Sequence, residues 1–204
     1  MNIIVAACRN RGIGYKNLLP WHIPSELKYF KHLTLGKGNN AVVMGKNTWK
    51  SLKKPLPKRD NFVLSTTMDE NEKPYILRNI NHLDILLDNH NYDDIWLIGG
   101  DQVYTSFIDT PYVKSIYYTY IDKEFTCDTY FPEIPNNFKQ VFRSNFYKEN
   151  GLNYNFNVYD NMDVNYNTNS LGNIKDYLNY SDRSDFKEII KQQRELYKEV
   201  YLFK

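Results

Sequence analysis

The stretch WLIGGDQVY, from Trp96 to Tyr104, joins an apolar run to a helical segment through two adjacent glycines. The apolar run is typical of a buried strand, and the segment that follows the glycines has the spacing of a helix. Without side chains at Gly99 and Gly100, backbone N–H groups can approach a pyrophosphate closely. An ordinary tight turn explains the pair equally well, and the spacing is not the GxGxxG dinucleotide fingerprint. The stretch therefore predicts a strand followed by a helix in an α/β fold.

The segment NAVVMGKNTWKSL predicts a second turn of the same kind. A buried strand leads through Gly45 and Lys46 into a helix that begins near Thr48. One such turn is unremarkable, but two in one sheet indicate a ligand with two phosphate regions. Lys46 by itself is as well explained as a solvated charge, since lysines are mostly exposed.

The remaining segments predict how the fold is assembled. NIIVAAC, FVLST and PYIL have the pattern of strands, whereas SELKYFKHLTL and HLDILLDN have that of helices. The final third holds three Tyr- and Phe-rich strand patterns, SIYYTYID, FKQVFRSNFY and YNFNVYD. This order predicts an α/β three-layer sandwich: a mostly parallel central sheet, an antiparallel C-terminal edge and about four flanking helices.

Composition excludes several function classes. The 204 residues suit one domain with an appendage, and 26 basic against 24 acidic residues give no electrostatic case for nucleic acid or a membrane surface. Cys8 and Cys127 lie far apart and imply no disulfide framework, so a reducing compartment is expected. The four histidines have no ligand spacing, and we expect no metal site. With no signal segment recognised, the expected location is the cytoplasm.

The stretch NLLPWHIPSEL, residues 17–27, places one acid, Glu26, beside apolar groups. Pro24 suits the first turn of a helix, so Glu26 could be a helix-start acid that faces water. Alternatively it points into an apolar cleft, where burial would raise its pKa and suit it to proton transfer near neutral pH. The pattern alone leaves both interpretations open.

Taken together, nine segments carry a resemblance to a known family. They are IVAA, GIGYKNLLPW, PSELKYFK, VVMGKNTWKSL, PLPKRDNFVLS, WLIGGDQVY, YYTYID, DTYFPEI and YNFNVY. In this order they resemble the dihydrofolate reductase family over residues 1–160. The resemblance implies reduction of 7,8-dihydrofolate to tetrahydrofolate with NADPH, a place in one-carbon metabolism, and antifolates as inhibitors.

The resemblance also implies roles for single residues. Glu26 would bind pterin N3 and the 2-amino group and support protonation of N5, with Thr119 hydrogen-bonded to it. Trp21 would help to place the active-site water, and Leu19 would sit on the loop that closes over the nicotinamide. Arg59 would pair with the α-carboxylate of the substrate.

Larger sets follow from the same resemblance. The residues that would line the folate slot are Val5, Ala6, Leu27, Phe30, Leu52, Leu56 and Ile98. The residues that would bind NADPH are Ala7, Ile13, Gly45, Lys46, Asn47, Thr48, Leu64, Ser65, Thr66, Gly99, Gly100 and Tyr104. Among these, Lys46 and the turn at Ser65 and Thr66 would hold the 2′-phosphate. The family joins its two glycines by a cis peptide bond.

Some positions depart from the family pattern. Lys58 stands where many members have glycine, which is expected to affect only the loop. Asp101 and Gln102 follow the glycine pair, where a small loss of cofactor phosphate contacts could result. The insertion Gly36–Asn40 resembles the longer loop of eukaryotic-type members.

The C-terminal part lies outside the resemblance. We expect a reductase domain at residues 1–162, a polar linker at 163–184 and an amphipathic helix at 185–204, with Asp185 and Glu188 placed as a capping box. Such a tail could resemble the linker of bifunctional relatives fused to thymidylate synthase, or it could pack on its own domain or a second copy. An interaction role is slightly favoured, because an apolar stripe is costly to expose.

Two other functions compete with folate reduction. A riboflavin-pathway reductase shares the fold and NADPH but acts on a pyrimidine ribosyl phosphate, and Glu26 and Arg59 favour folate over it. A scaffold protein in which the tail matters most belongs to another class. Removing residues 163–204 would separate that role from turnover.

Overall fold

A computed structural model describes residues 1–52, 54–69, 75–79 and 92–163 of the chain. The strands are β1 Asn2–Cys8, β2 Gly12–Gly14, β3 Asn40–Gly45, β4 Asp60–Leu64, β5 Tyr75–Leu77, β6 Asp94–Leu97, β7 Ser115–Ile121, β8 Thr129–Tyr130, β9 Phe138–Arg143, β10 Tyr147–Glu149 and β11 Leu152–Asn161. The helices in these ranges are α1 Pro24–Leu35, α2 Lys46–Ser51 and α3 Asp101–Phe107. The predicted helix at HLDILLDN, the linker and the C-terminal helix lie outside the described residues.

Nine of the described strands form one sheet in the order β10-β11-β7-β1-β6-β3-β4-β5, with β9 also paired to β11. All pairs from β7 to β5 are parallel. Strand β11 runs antiparallel to its neighbours β7, β9 and β10. The predicted parallel sheet with an antiparallel C-terminal edge is therefore confirmed.

Side chains that alternate along β1 divide the core into two clusters, one on each face of the sheet. Ile3 belongs to the first cluster, which α3 covers with Val103 and Phe107. Ile4 belongs to the second cluster, which α1 covers with Leu33. Because consecutive residues of a strand point to opposite faces, a strand buried on both sides must be apolar throughout, as NIIVAAC is. The layered α/β arrangement is confirmed.

Helix α1 carries the acid that the sequence singled out. Its buried residues are Ser25, Glu26, Tyr29, Leu33 and Thr34. Helical spacing in SELKYFKHLTL predicts one apolar face for Leu27, Phe30 and Leu33, and this is wrong for Leu27, which is 37% exposed. The buried stripe passes through Glu26, Tyr29 and Leu33, one helical turn apart, so an acid takes the position that the pattern assigned to a leucine.

The segment RNRGIGYKNLLPW, whose glycines and polar residues predict a loop, contains one strand of a small second sheet. Strand β2, Gly12–Gly14, pairs with β8, Thr129–Tyr130. The pairing fixes the beginning of the loop from Gly12 to Trp21, here called the lid loop, against the segment that follows β7. The stretch FKQVFRSNFY, predicted as one strand, contains β9 and reaches only the first residue of β10, Tyr147.

Candidate active site

Glu26 is buried in the first turn of α1, with 5% of its surface exposed. The hydroxyl of Thr119, on the central strand β7, donates to its Oε1 at 3.4 Å. Burial raises the pKa of Glu26 to about 7, and the hydrogen bond from Thr119 opposes part of that rise. The interpretation of Glu26 as a buried acid is confirmed, and so is its predicted contact with Thr119.

The raised pKa of Glu26 makes the stability of the chain depend on pH. The pKa of Glu26 in the folded chain lies above the ordinary value of 4.5, so the folded state favours the protonated acid. The stability that comes from keeping Glu26 protonated is fully present below pH 4.5 and is lost as the pH rises through about 7. We expect Glu26→Gln to be more stable than wild type at pH 8.5, by up to about 3 kcal/mol. Urea unfolding of both proteins measures the difference, which should vanish near pH 4. An equal difference at both pH values would contradict this origin.

The lid loop leads directly to α1. Trp21 is buried and packs against Phe125, with ring centroids 5.5 Å apart. Its indole N–H has no hydrogen-bond partner among the described residues, so it is a donor available to a small polar molecule. Leu19 is 51% exposed on the lid loop, where an apolar side chain can cover a bound ligand. The loop is fastened where the N–H of Lys16 donates to the Asp128 carboxylate at 2.7 Å.

The predicted folate-slot residues come together as a partly exposed apolar wall. Those half-buried against the second core cluster are Ala6, Phe30, Leu52, Leu56 and Ile98. Leu27 adds an exposed apolar side chain from α1. Val5 differs, because its side chain packs in the first cluster, on the opposite face of the sheet. Consecutive residues of a strand point to opposite faces of the sheet, so Ala6 can line the slot with its side chain whereas Val5 can face it only with its backbone.

Arg59 is buried and immediately precedes strand β4. Its Nη1 donates to the hydroxyl oxygen of Thr34 at 2.7 Å and its Nε donates to the carbonyl of Pro57 at 3.2 Å. Thr34 in turn donates to the Phe30 carbonyl at 2.7 Å. Burial lowers the pKa of Arg59, although a guanidinium stays charged at neutral pH. The two bonds fix the orientation of the guanidinium, and Thr34 is a supporting residue that the sequence did not indicate.

The two predicted glycine turns meet at one edge of the sheet. The N–H of Gly45 donates to the Gly99 carbonyl at 2.7 Å, because β3 and β6 are neighbours. The bond between Gly99 and Gly100 is a cis peptide, as the resemblance implies. A Cβ at Gly45 would lie 3.5 Å from Val103 Cγ2, and one at Gly100 3.5 Å from Thr48 Oγ1, both at ordinary van der Waals distance. The two turns form a cradle in which added side chains would occupy the space beside the backbone.

A cationic region lies beside the end of β4. Lys46 Nζ donates to Thr67 Oγ1 at 2.7 Å, and Arg78 Nη1 donates to the Ser65 carbonyl at 3.2 Å. The Ser65 hydroxyl oxygen accepts the N–H of Thr67 at 3.3 Å, which shapes the turn. Thr66 is exposed there. Sequence reasoning missed Thr67 and Arg78.

A signal for Arg78 was present in the sequence. It follows the short strand β5, which lies parallel to β4. The carboxyl ends of parallel strands meet at one edge of a sheet, where ligands bind, so a basic residue after PYIL was a candidate for the same anion as Lys46.

The other implied cofactor residues occupy the first face of the sheet or its edge. Ala7 and Tyr104 belong to the first core cluster, and Ile13 and Leu64 pack against it. The Tyr104 hydroxyl donates to the Ile4 carbonyl at 2.8 Å, which places its ring under the glycine pair. Asn47 is exposed on α2. Folate and cofactor sets therefore fall largely on opposite faces.

The described residues contain neither a candidate metal site nor a candidate membrane-spanning helix. They hold no group of three or more His, Cys, Asp or Glu side chains that could bind a metal ion. No helix within them is long and apolar enough to cross a membrane.

Fold and site together place a buried acid with a pKa of about 7 and a glycine-lined turn suited to a phosphorylated cofactor on one α/β sheet, an arrangement that fits an oxidoreductase. Comparison with known proteins specifies the family. The family model for dihydrofolate reductase matches residues 1–161. The chain belongs to the dihydrofolate reductase family.

Individual relatives agree with this assignment. The chain is 38% identical to a dihydrofolate reductase of Drosophila melanogaster, covering 77% of this chain and 95% of the relative. It is 37% identical to one of Gallus gallus, covering 78% and 95%. A viral dihydrofolate reductase of Saimiriine herpesvirus 2 is 35% identical, with coverage of 78% and 84%.

Proposed function

We infer that this chain reduces 7,8-dihydrofolate to 5,6,7,8-tetrahydrofolate with NADPH and so supplies one-carbon metabolism and thymidylate synthesis. The family match supports the reaction. The observation that carries the chemical assignment is the buried Glu26, whose raised pKa lets it exist in both protonation states near neutral pH. Antifolates are the expected inhibitors, because they present an amidine-like edge to this acid, as the pterin does.

We propose that Glu26 holds the pterin ring and supports its protonation. A carboxylate can accept from pterin N3–H and the 2-amino group as a bidentate pair. The Thr119 hydroxyl, which already donates to Oε1, keeps the carboxyl group in one orientation. The indole N–H of Trp21 has no partner in the described part of the chain, which supports the proposal that it holds a water molecule through which a proton reaches N5. Leu19 would screen this step from bulk water.

The residues at the cradle fit NADPH. Its bound form supplies the hydride that the pterin C6 receives. Gly45, Gly99 and Gly100 would let backbone N–H groups approach the phosphates, since side chains there would fill the space. The cationic groups of Lys46 and Arg78, with the turn at Ser65, would hold the 2′-phosphate and favour NADPH over NADH.

The assay that tests the function follows loss of NADPH absorbance after 7,8-dihydrofolate is added to the purified chain. We expect turnover with NADPH, weaker activity with NADH, and inhibition by an antifolate. A pyrimidine ribosyl phosphate, the substrate class of the riboflavin-pathway alternative, serves as the comparison substrate. Turnover of that compound but not of dihydrofolate would reject the folate assignment.

Arg59 gives a separate prediction about the substrate tail. Arg59→Lys keeps the charge but loses the paired N–H geometry that matches a carboxylate. We expect KM for dihydrofolate to rise about 10- to 100-fold, while kcat changes little because the reacting atoms are untouched.

A substrate without the glutamate tail, 7,8-dihydropterin, provides the control for Arg59→Lys. Its KM should not change, because it has no carboxylate for Arg59. Equal losses with both substrates would indicate that the substitution disturbs the slot itself through Thr34 and Pro57, the present partners of Arg59.

We further propose that residues 163–204 serve assembly, as a polar linker and an amphipathic helix, through self-association or contact with a thymidylate synthase. The cytoplasm remains the proposed location. Deleting residues 163–204 and comparing turnover with the sedimentation coefficient tests the tail: lost self-association at unchanged turnover supports assembly. Loss of both would assign the tail to support of the fold.

A further inference from the structure

Two thiols lie side by side where the end of β1 meets the segment before β8. The Sγ atoms of Cys8 and Cys127 are 4.0 Å apart, although the residues are 119 positions apart in the chain. Both cysteines are free, Cys8 buried and Cys127 partly exposed. Disulfide formation brings two sulfur atoms to about 2.05 Å, so side-chain rotation has to supply roughly 2 Å of approach.

The main chain holds the two thiols together from both sides. The N–H of Arg9 donates to the Lys123 carbonyl at 3.0 Å, and the N–H of Asp128 donates to the Gly14 carbonyl at 3.0 Å. These bonds flank the pair at either end. The approach of the thiols is therefore built into the pairing of two segments and does not depend on a chance side-chain position.

Gly12 closes the space around the pair. A Cβ at this position would collide with Cys127 Sγ and would lie 2.7 Å from Cys127 Cβ and 3.0 Å from Cys8 Sγ. The space next to the sulfur atoms is thus filled by the chain itself. On the Gly12 side there is no room for an adduct, so a glutathione on the partly exposed Cys127 has to extend toward solvent, whereas a bond to Cys8 needs no added volume.

We propose that Cys8 and Cys127 form a reversible thiol–disulfide modification site that reacts with a low-molecular-weight disulfide such as oxidised glutathione. The more exposed Cys127 attacks first as a thiolate, forms a mixed disulfide and releases one glutathione thiolate. Cys8, whose thiol donates to Asn10 Oδ1 at 2.8 Å, then loses its proton and attacks the Cys127 sulfur. The second glutathione thiolate leaves, so two protein thiols are oxidised and one glutathione disulfide is reduced.

The bond would act on the lid loop through Asp128. This residue follows Cys127 and accepts the N–H of Lys16 while donating to Gly14. Fastening Cys127 to β1 therefore restrains the support of the lid loop. Lid opening limits many enzymes of this kind, so we expect kcat of the oxidised chain to fall by about 3- to 10-fold. This consequence, unlike the modification itself, rests on the proposed function.

The microenvironment sets the speed of the reaction. Burial and the neighbouring Cys8 raise the pKa of Cys127 to about 11. The thiolate is scarce at pH 7, and the rate of oxidation should rise as the pH increases toward 9. Slow oxidation suits a response to sustained oxidising conditions in an otherwise reducing compartment.

The experiment incubates the full chain with oxidised glutathione at pH 8.5, then counts free thiols after unfolding and records the intact mass. We expect both thiols to be lost, a mass decrease of about 2 Da without attached glutathione, and recovery with dithiothreitol. Cys8→Ser should instead retain one glutathione on Cys127, because the resolving thiol is absent. Two thiols that remain free, a stable glutathione adduct on wild type, or a link between two chains would each overturn the proposal.

Turnover of the oxidised chain tests the effect on the lid loop. Cys127→Ser, treated with oxidised glutathione in the same way, is the matched control and should keep its activity. An unchanged kcat in fully oxidised wild type would overturn the link to the lid loop. The thiol count and the mass need no turnover, so they remain decisive even if the folate assignment fails.

Discussion

Replacing Glu26 by glutamine is expected to lower kcat/KM for 7,8-dihydrofolate by about 10²- to 10⁴-fold near neutral pH. The amide keeps the shape of the side chain and can still accept the hydrogen bond from Thr119, but it can neither carry a charge nor exchange a proton. Steady-state NADPH oxidation between pH 5 and pH 9 measures the effect. Activity of the variant should recover partly at acid pH, where the substrate takes its proton from solvent.

A matched acid elsewhere controls for the chemical change. Glu133 is also a glutamate, and its side chain is 87% exposed, so Glu133→Gln should leave both kcat/KM and its pH profile unchanged. Thermal unfolding and antifolate binding show whether Glu26→Gln is folded. Full activity of a folded Glu26→Gln chain would remove Glu26 from the chemistry and leave it a structural role only.

The same burial that suits Glu26 to proton transfer is unfavourable for folding. At pH 8 the folded chain must either keep this acid protonated or hold its charge away from water, which costs free energy in both cases. An acid retained under these conditions is expected where function requires it. A gain in stability together with a loss of activity in Glu26→Gln would therefore be two results of one cause.

The sequence predicted much of the fold because its signals are local. Buried strands such as NIIVAAC, the turns at Gly45 and Gly99, and the helix opened by Pro24 each follow from residues close together in the chain. The residues next to Glu26 in the sequence did not show whether this acid faces water at a helix start or points into an apolar cleft. Burial against Thr119, which comes from β7, decides between them, and that contact depends on the assembled sheet.

The features that were missed arise from contacts between distant segments. Cys8 and Cys127 had no recognisable spacing, and main-chain bonds between the segments at Arg9–Gly14 and Lys123–Asp128 bring them together. Thr34 and Arg59 belong to different elements and meet through one hydrogen bond. Val5 was placed in the folate slot by resemblance, although alternation along β1 turns its side chain to the other face.

Gly99→Ala is expected to weaken both the fold and cofactor binding. The φ of Gly99 is +110°, outside the region that L-residues with a Cβ readily adopt, which costs about 1–3 kcal/mol. The added Cβ would also lie 3.1 Å from the Tyr104 hydroxyl. That tyrosine has little room to move, because it bonds the Ile4 carbonyl and packs edge-on against Phe131 at 5.0 Å. Urea unfolding should show a total loss of about 2–5 kcal/mol.

Gly38→Ala separates these two causes. Gly38 also has a positive φ, +101°, but a Cβ there would meet no described atom within 4 Å, and the residue lies in the loop after α1. We expect Gly38→Ala to lose only the free energy of unfolding that comes from a positive φ, and to keep its affinity for NADPH. Gly99→Ala should bind NADPH about 10- to 100-fold more weakly. Equal stability losses in the two variants would show that Tyr104 yields to the new methyl group. Unchanged NADPH affinity in a folded Gly99→Ala chain would show that the glycine turn does not bind the cofactor.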